Sequence, residues 1–224
     1  MSYKSVCVAG GGVLGSQIAF QAAYCGFDVT IWLRSEGSIG RTQPKIDHVR
    51  EEYIAAIEGM ADGTGEWCAG IADSDQPFDK DAALAAVEHA YSTLKLELDL
   101  AKAVADADLV IESMAEDTQA KIDFYKKLAP VLPQKTVIVT NSSTLLPSTF
   151  AKYTGRPEKY LSLHFANSIW KNNMTEVMAQ DQTDKRYFDE LVDFANDIRM
   201  LALPVNKEKN GYLLNSMLVP WLLS

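Results

Sequence analysis

His164 and Glu176 are the residues of this 224-residue chain whose types and spacing best suit proton transfer. Histidine titrates near neutrality, so it can both take and return a proton. A carboxylate behind the ring fixes its tautomer and stabilises the imidazolium form. Such a pair serves the interconversion of an alcohol and a ketone, where the hydroxyl proton must be taken up as hydride leaves the carbon. Further polar groups follow two apolar runs, in Asn141-Ser142-Ser143-Thr144 and in His164-Phe165-Ala166-Asn167. Ser143 and Asn167 are suited to holding the substrate oxygen or the amide of a hydride carrier.

A place for that carrier lies near the start of the chain. Gly10-Gly11-Gly12-Val13-Leu14-Gly15 has the spacing G-x-G-x-x-G, after a short apolar run and before a helical pattern. That context is what gives the motif its meaning. Gly10 permits a tight turn, Gly12 lets a pyrophosphate approach the backbone, and Gly15 lets the helix pack close to the strand. The helix N-terminus at Val13 and Leu14 then presents its positive end to the phosphates. Asn141, at the end of a later strand, joins this set. NAD proteins usually carry an acid at the end of the second strand to bind the ribose 2′-hydroxyl. Here Leu33 takes that place, followed by Arg34 and Ser35, which suit a 2′-phosphate; Glu36 is an alternative ribose ligand. The cofactor is read as NAD or NADP, with Arg34 tilting the choice towards NADP.

These residues need elements to position them. Strands are expected at 5–9 and 28–33 around a helix at 13–24, which makes a βαβ unit. Helices at 46–60 and 80–91, joined by a polar loop, form an inserted arm over about 44–91. The alternation then resumes, with strands at 94–98, 109–112, 136–140, 161–164, 177–179 and 200–205. Helices are expected at 100–105, 118–128 and 185–197, and a helix-like stretch at 147–153. The pattern predicts an α/β, Rossmann-type, doubly wound and mainly parallel sheet with an inserted helical arm. Residues 1–205 form the dinucleotide-binding domain, and 206–224 begin a linking helix.

A net charge of −9 excludes a nucleic-acid surface, which needs clustered Lys and Arg. It leaves open an anionic cofactor held by backbone N–H groups. Three cysteines, Cys7, Cys25 and Cys68, fit neither a metal nor a disulfide pattern. With no signal peptide and no bilayer-length apolar run, a cytoplasmic protein without a membrane partner is expected.

Residues 6–223 resemble the 3-hydroxyacyl-CoA dehydrogenase family, NAD-binding domain. Four segments carry the resemblance in order: 8–15; 107–116, with Lys121 after it; 141–145 leading to 164–167; and 210–220. The resemblance implies an NAD(P)-dependent oxidoreductase of fatty acid metabolism that interconverts 3-hydroxyacyl-CoA and 3-ketoacyl-CoA. By it, His164 is the catalytic histidine and Glu176 its carboxylate partner. Ser143 and Asn167 lie beside nicotinamide and substrate, and Asn215 contacts the substrate. Glu116 and Lys121 lie on the cofactor side, and the arm helps to cover the acyl-CoA. The family's helical C-terminal domain, which makes the homodimer, is expected to be absent here. Departures from the pattern are Leu33-Arg34 in place of the acid, Ser168 where proline is usual, and the bulky Trp170. The arm offers mainly Lys45 and Arg50 to CoA phosphates. A hydroxy-acid dehydrogenase or diketoreductase, or a non-catalytic dinucleotide-binding module, remains the alternative.

Overall fold

Runs of four to six apolar, β-branched residues bounded by turns form strands because both of their faces can be buried under helices. The computed structural model describes residues 3–213 and residue 216. Eight strands form one sheet: β1 (Ser5–Ala9), β2 (Asp28–Trp32), β3 (Lys95–Glu97), β4 (Leu109–Glu112), β5 (Val137–Thr140), β6 (Tyr160–Phe165), β7 (Met174–Met178) and β8 (Leu201–Val205). Among the described residues six α-helices accompany them: α1 (Val13–Tyr24), α2 (Glu36–Asp62), α3 (Lys80–Thr93), α4 (Leu100–Val104), α5 (Thr118–Leu128) and α6 (Lys185–Asp197).

The strand order is β3-β2-β1-β4-β5-β6-β7-β8. All neighbours run parallel except β6 and β7, which are antiparallel. The order reverses between β1 and β4, and crevices for ligands open at such switch points, beyond the carboxyl ends of the strands. Alternate residues of the central strands face two cores. Val6, Val8, Ile31, Ile111, Val139 and Leu163 pack with residues of α1, α2, α3 and α6. Cys7, Ala9, Val110, Ile138 and Tyr160 pack with residues of α4 and α5. The expected fold class is what the structure has.

Three differences from the sequence reading exceed two residues. α2 starts at Glu36, ten residues before the expected 46, and runs through Pro44. The missing N–H of Pro44 falls opposite Gly40, whose carbonyl lies on a backbone free to adjust. Residues 147–153 form two short 3₁₀ turns rather than a helix. β7 begins at Met174, three residues before the expected 177.

The helix starts fall into two groups. α3, α4, α5 and α6 are capped by Asp79, Asp99, Asp117 and Asp184, whose side chains accept a first-turn N–H. α1 and α2 begin at Gly12 and Ser35 with no side-chain cap. Orphan N–H groups at a helix start need a partner, and both of these starts lie beside the switch point. No helix of the described residues is long and apolar enough to cross a membrane.

Candidate active site at the strand ends

The glycine loop links β1 to α1, and its three motif glycines are there for different reasons. Gly10 has φ +120°, and a Cβ there would stand 2.5 Å from the Ser113 carbonyl oxygen. A Cβ at Gly15 would lie 2.1 Å from the carbonyl oxygen of Gly10. The protein's own packing therefore requires both. A Cβ at Gly12 meets nothing within 4 Å, and Gly12 has φ −69°. Nothing in the protein demands glycine at that position, so the space in front of it fits a ligand that comes close to the backbone. Together with the uncapped start of α1, this suits a pyrophosphate.

A cleft of about 290 Å³ opens beside this loop, lined by residues 10–12, 32–34, 38, 41–42, 45, 113–115 and 120. Leu33 is buried and walls the cleft and Arg34 is exposed at its rim, while Ser35 is exposed but does not line the cleft. Ser38, Arg41 and Lys45 from the first half of α2 also line it. The sequence reading missed Ser38 and Arg41. The spacing 34, 38, 41, 45 was visible, but the helix that makes it one face was not, because Gly37, Gly40 and Pro44 read as breakers.

The proton-transfer pair assembles at the antiparallel junction. His164 on β6 is directly opposite Glu176 on β7. Cross-strand partners in an antiparallel pair project to the same face. His164 Nδ1 lies 2.8 Å from Glu176 Oε2, and both side chains are buried. The Leu213 backbone N–H donates to Glu176 Oε1 at 2.7 Å, so both carboxylate oxygens are engaged. His164 Nε2 lies 3.1 Å from Ser143 Oγ. The Tyr212 ring stacks on the imidazole, with centroids 4.7 Å apart. Its hydroxyl donates to Ser162, and burial pushes that phenol well above its ordinary range.

Ser143 is held from below. Glu116 Oε1 accepts the Ser143 N–H at 2.8 Å, and Oε2 accepts the Ser142 hydroxyl at 2.7 Å. Asn141 ties three strand ends together: its N–H donates to Glu112 O, its side-chain carbonyl accepts the Phe165 N–H, and its amide donates to Ser113. Asn167 is exposed after β6, and its side chain has no hydrogen bond among the described residues. Asn215 lies outside the described residues.

Lys121, read as a cofactor-side residue, has no exposed surface. Its ammonium donates to Glu112 Oε1 at 2.6 Å, inside the domain. Glu112 also accepts from Tyr125, Thr140 and the Met114 N–H. A charge buried this deeply must be paired, and Glu112, which Thr140 also contacts, pairs it at the β4 and β5 ends. Trp170 is buried away from the cleft. Its ring lies 5.1 Å from that of Tyr53 on α2, and its carbonyl accepts the Gly70 N–H. Of the two arm cations considered for CoA phosphates, Arg50 pairs with Glu88 at 2.6 Å and lies over Tyr91, and Lys45 lines the cleft.

All three cysteines are free, and burial pushes the Cys7 and Cys25 thiols up to about 12. No cluster of His, Cys, Asp and Glu suited to a metal ion occurs among the described residues.

A diketoreductase of known structure, active on dicarbonyl compounds, is 40% identical to this chain, with a TM-score of 0.79 over 99% of this chain and 71% of that one. Human mitochondrial hydroxyacyl-coenzyme A dehydrogenase is 28% identical over 98% of this chain, which spans 64% of its length. The 3-hydroxybutyryl-CoA dehydrogenase of Clostridioides difficile is 28% identical over 96% of this chain and 68% of its own length. The model of the 3-hydroxyacyl-CoA dehydrogenase NAD binding domain matches residues 5–209, and the chain belongs to that family.

Proposed function

We propose that this chain carries the cofactor-binding and proton-transfer machinery of an NAD(P)-dependent oxidoreductase that interconverts a 3-hydroxyacyl-CoA and a 3-ketoacyl-CoA. The observation that carries the proposal is the chain of contacts Glu176–His164–Ser143 at the strand ends, beside a cleft walled by the glycine loop. A bound nicotinamide dinucleotide supplies the hydride acceptor or donor. His164 Nε2 takes the hydroxyl proton in oxidation and returns it in reduction. Glu176 keeps a proton on Nδ1 and favours the imidazolium that forms. Ser143 Oγ, within reach of His164 Nε2, marks where the substrate oxygen is held, and Asn167 and Asn215 complete the set. Arg34 and Ser35 at the end of β2 favour a 2′-phosphorylated dinucleotide.

A second reading of the substrate, a small diketone or free hydroxy acid, is supported by the arm cations. Arg50 is engaged by Glu88 and Lys45 faces the dinucleotide cleft, which leaves neither directed to CoA phosphates. Turnover of acetoacetyl-CoA against free acetoacetate and a small diketone separates the readings. His164→Ala should lower turnover by about 10²- to 10⁴-fold while dinucleotide binding survives. Undiminished turnover in that variant would sink the mechanism.

A further inference from the structure

The cleft wall formed by α2 holds a concentration of positive charge that the rest of the chain does not balance. Arg34, Arg41 and Lys45 line one pocket, in a chain of net charge −9. Among the described residues none of the three forms an ion pair, although carboxylates elsewhere pair with Arg50, Lys95, Lys121, Lys135, Lys185, Arg186 and Arg199. Among the described residues their only side-chain hydrogen bonds are local: Arg41 Nη2 donates to Ser38 Oγ at 3.0 Å, and Lys45 Nζ donates to the Arg41 carbonyl. Three converging cations without a carboxylate repel one another, and an anion between them relieves that repulsion.

The start of α2 adds to the field. Ser35 stands at the N-cap position, but its hydroxyl pairs with Ser38 Oγ at 3.0 Å and does not cap the helix. The Ser38 N–H turns back to the Ser35 carbonyl at 2.9 Å, and the Glu36 and Gly37 N–H groups of this 27-residue helix have no side-chain cap. Two carboxylates lie near this pocket, Glu36 in sequence and Glu97 through its register with Trp32. Glu97 is turned onto the Leu98 and Asp99 N–H groups at 2.8 Å, and Glu36 is exposed in the first turn of α2. Leu33 and Gly12 place the pocket next to the pyrophosphate loop, at the adenosine end.

We infer that Ser38, Arg41 and Lys45, together with Arg34, form a 2′-phosphate site that makes the chain selective for NADP(H). This inference rests on the proposed dinucleotide reading and names the residues of α2 that decide which dinucleotide is taken. The phosphate carries close to two negative charges and three acceptor oxygens, which matches two guanidinium groups, an ammonium and an uncapped helix start.

The test is a fluorescence titration of the chain with NADPH and with NADH, using Trp32, which lines the pocket. NADPH should bind at least tenfold more tightly, and 2′-AMP should displace it better than 5′-AMP or free CoA does. Arg41→Ala and Lys45→Ala should each weaken NADPH binding about tenfold and leave NADH within about twofold. Both side chains are at least partly exposed, so the variants should fold as the parent does, checked by circular dichroism. Equal or tighter NADH binding, or an unchanged NADPH-to-NADH ratio in the double variant, would overturn the 2′-phosphate site and leave the dinucleotide reading standing. Response to neither dinucleotide would overturn that reading together with the site.

Discussion

The two ends of the candidate site differ in how their polar groups are engaged before any ligand arrives. At the proton-transfer end they are largely engaged within the protein. Glu176 is held by His164 and the Leu213 N–H, His164 by Glu176 and Ser143, and Ser143 and its neighbour Ser142 by Glu116. At the adenosine end Arg34, Arg41 and Lys45 have no carboxylate, and two helix starts have no side-chain cap. One end fixes geometry in advance, so that a reacting group need not reorganise during the step. The other end holds unmatched charge in advance, so that its stability and shape depend on what binds.

The largest effect should come from disturbing the fixed end. Glu176→Gln keeps the size and one acceptor but removes the charge that favours imidazolium. We expect turnover to fall about 10²- to 10⁴-fold with the dinucleotide Kd unchanged. A parallel loss of binding would mean that the two ends are not separable. A smaller effect should distinguish the glycines. Gly12→Ala should leave the melting temperature unchanged and weaken dinucleotide binding about tenfold or more, because only a ligand claims that space. Gly15→Ala should do the reverse in its first consequence, costing roughly 1–3 kcal/mol of stability, since its Cβ would press on the Gly10 carbonyl. If Gly12→Ala proves as destabilising as Gly15→Ala, the argument for a ligand at Gly12 fails.

The smallest effect lies at the far end of the sheet and serves as a control for charge. Burial pushes the Asp108 carboxyl up, but Lys135 and the Lys4 and Ser5 backbone N–H groups outweigh it, and it sits below its usual range. Its folded-state pKa being depressed, its contribution is present above the unfolded value of about 4 and is lost as pH falls through the folded value. Asp108→Asn should cost about 1 kcal/mol in urea unfolding at pH 7 and progressively less below pH 4. Dinucleotide binding should not change. An effect on binding would show that charge acts across the whole sheet rather than at the adenosine end.

Much of this was legible in the sequence where one residue's chemistry has few other uses. The glycine loop, with its strand before and helix after, located the first βα turn. The twelve-residue separation of His164 and Glu176 fits two strands joined by a turn, although only the register shows that they are directly opposed. Other parts depended on packing. The sequence cannot show that a lysine is buried, and Lys121 was read as facing a ligand until its partner Glu112 was seen. Trp170 was read as a bulky departure from the family pattern, and in the structure it packs on Tyr53 and holds the Gly70 N–H. The first ten residues of α2 were lost to glycine and proline, whose local preferences were overridden by the tertiary fold. That loss hid the cationic face.

The antiparallel β6–β7 junction also bears on the order in which the molecule assembles. It makes the His164–Glu176 contact a local one, closed by a short hairpin. The pairing of β1 with β4 joins residues about a hundred positions apart, and closing such a loop is slow. The proton-transfer pair can therefore come together before the crevice does. Pulsed hydrogen exchange during refolding should show the amides of 160–178 protected ahead of those of 5–9.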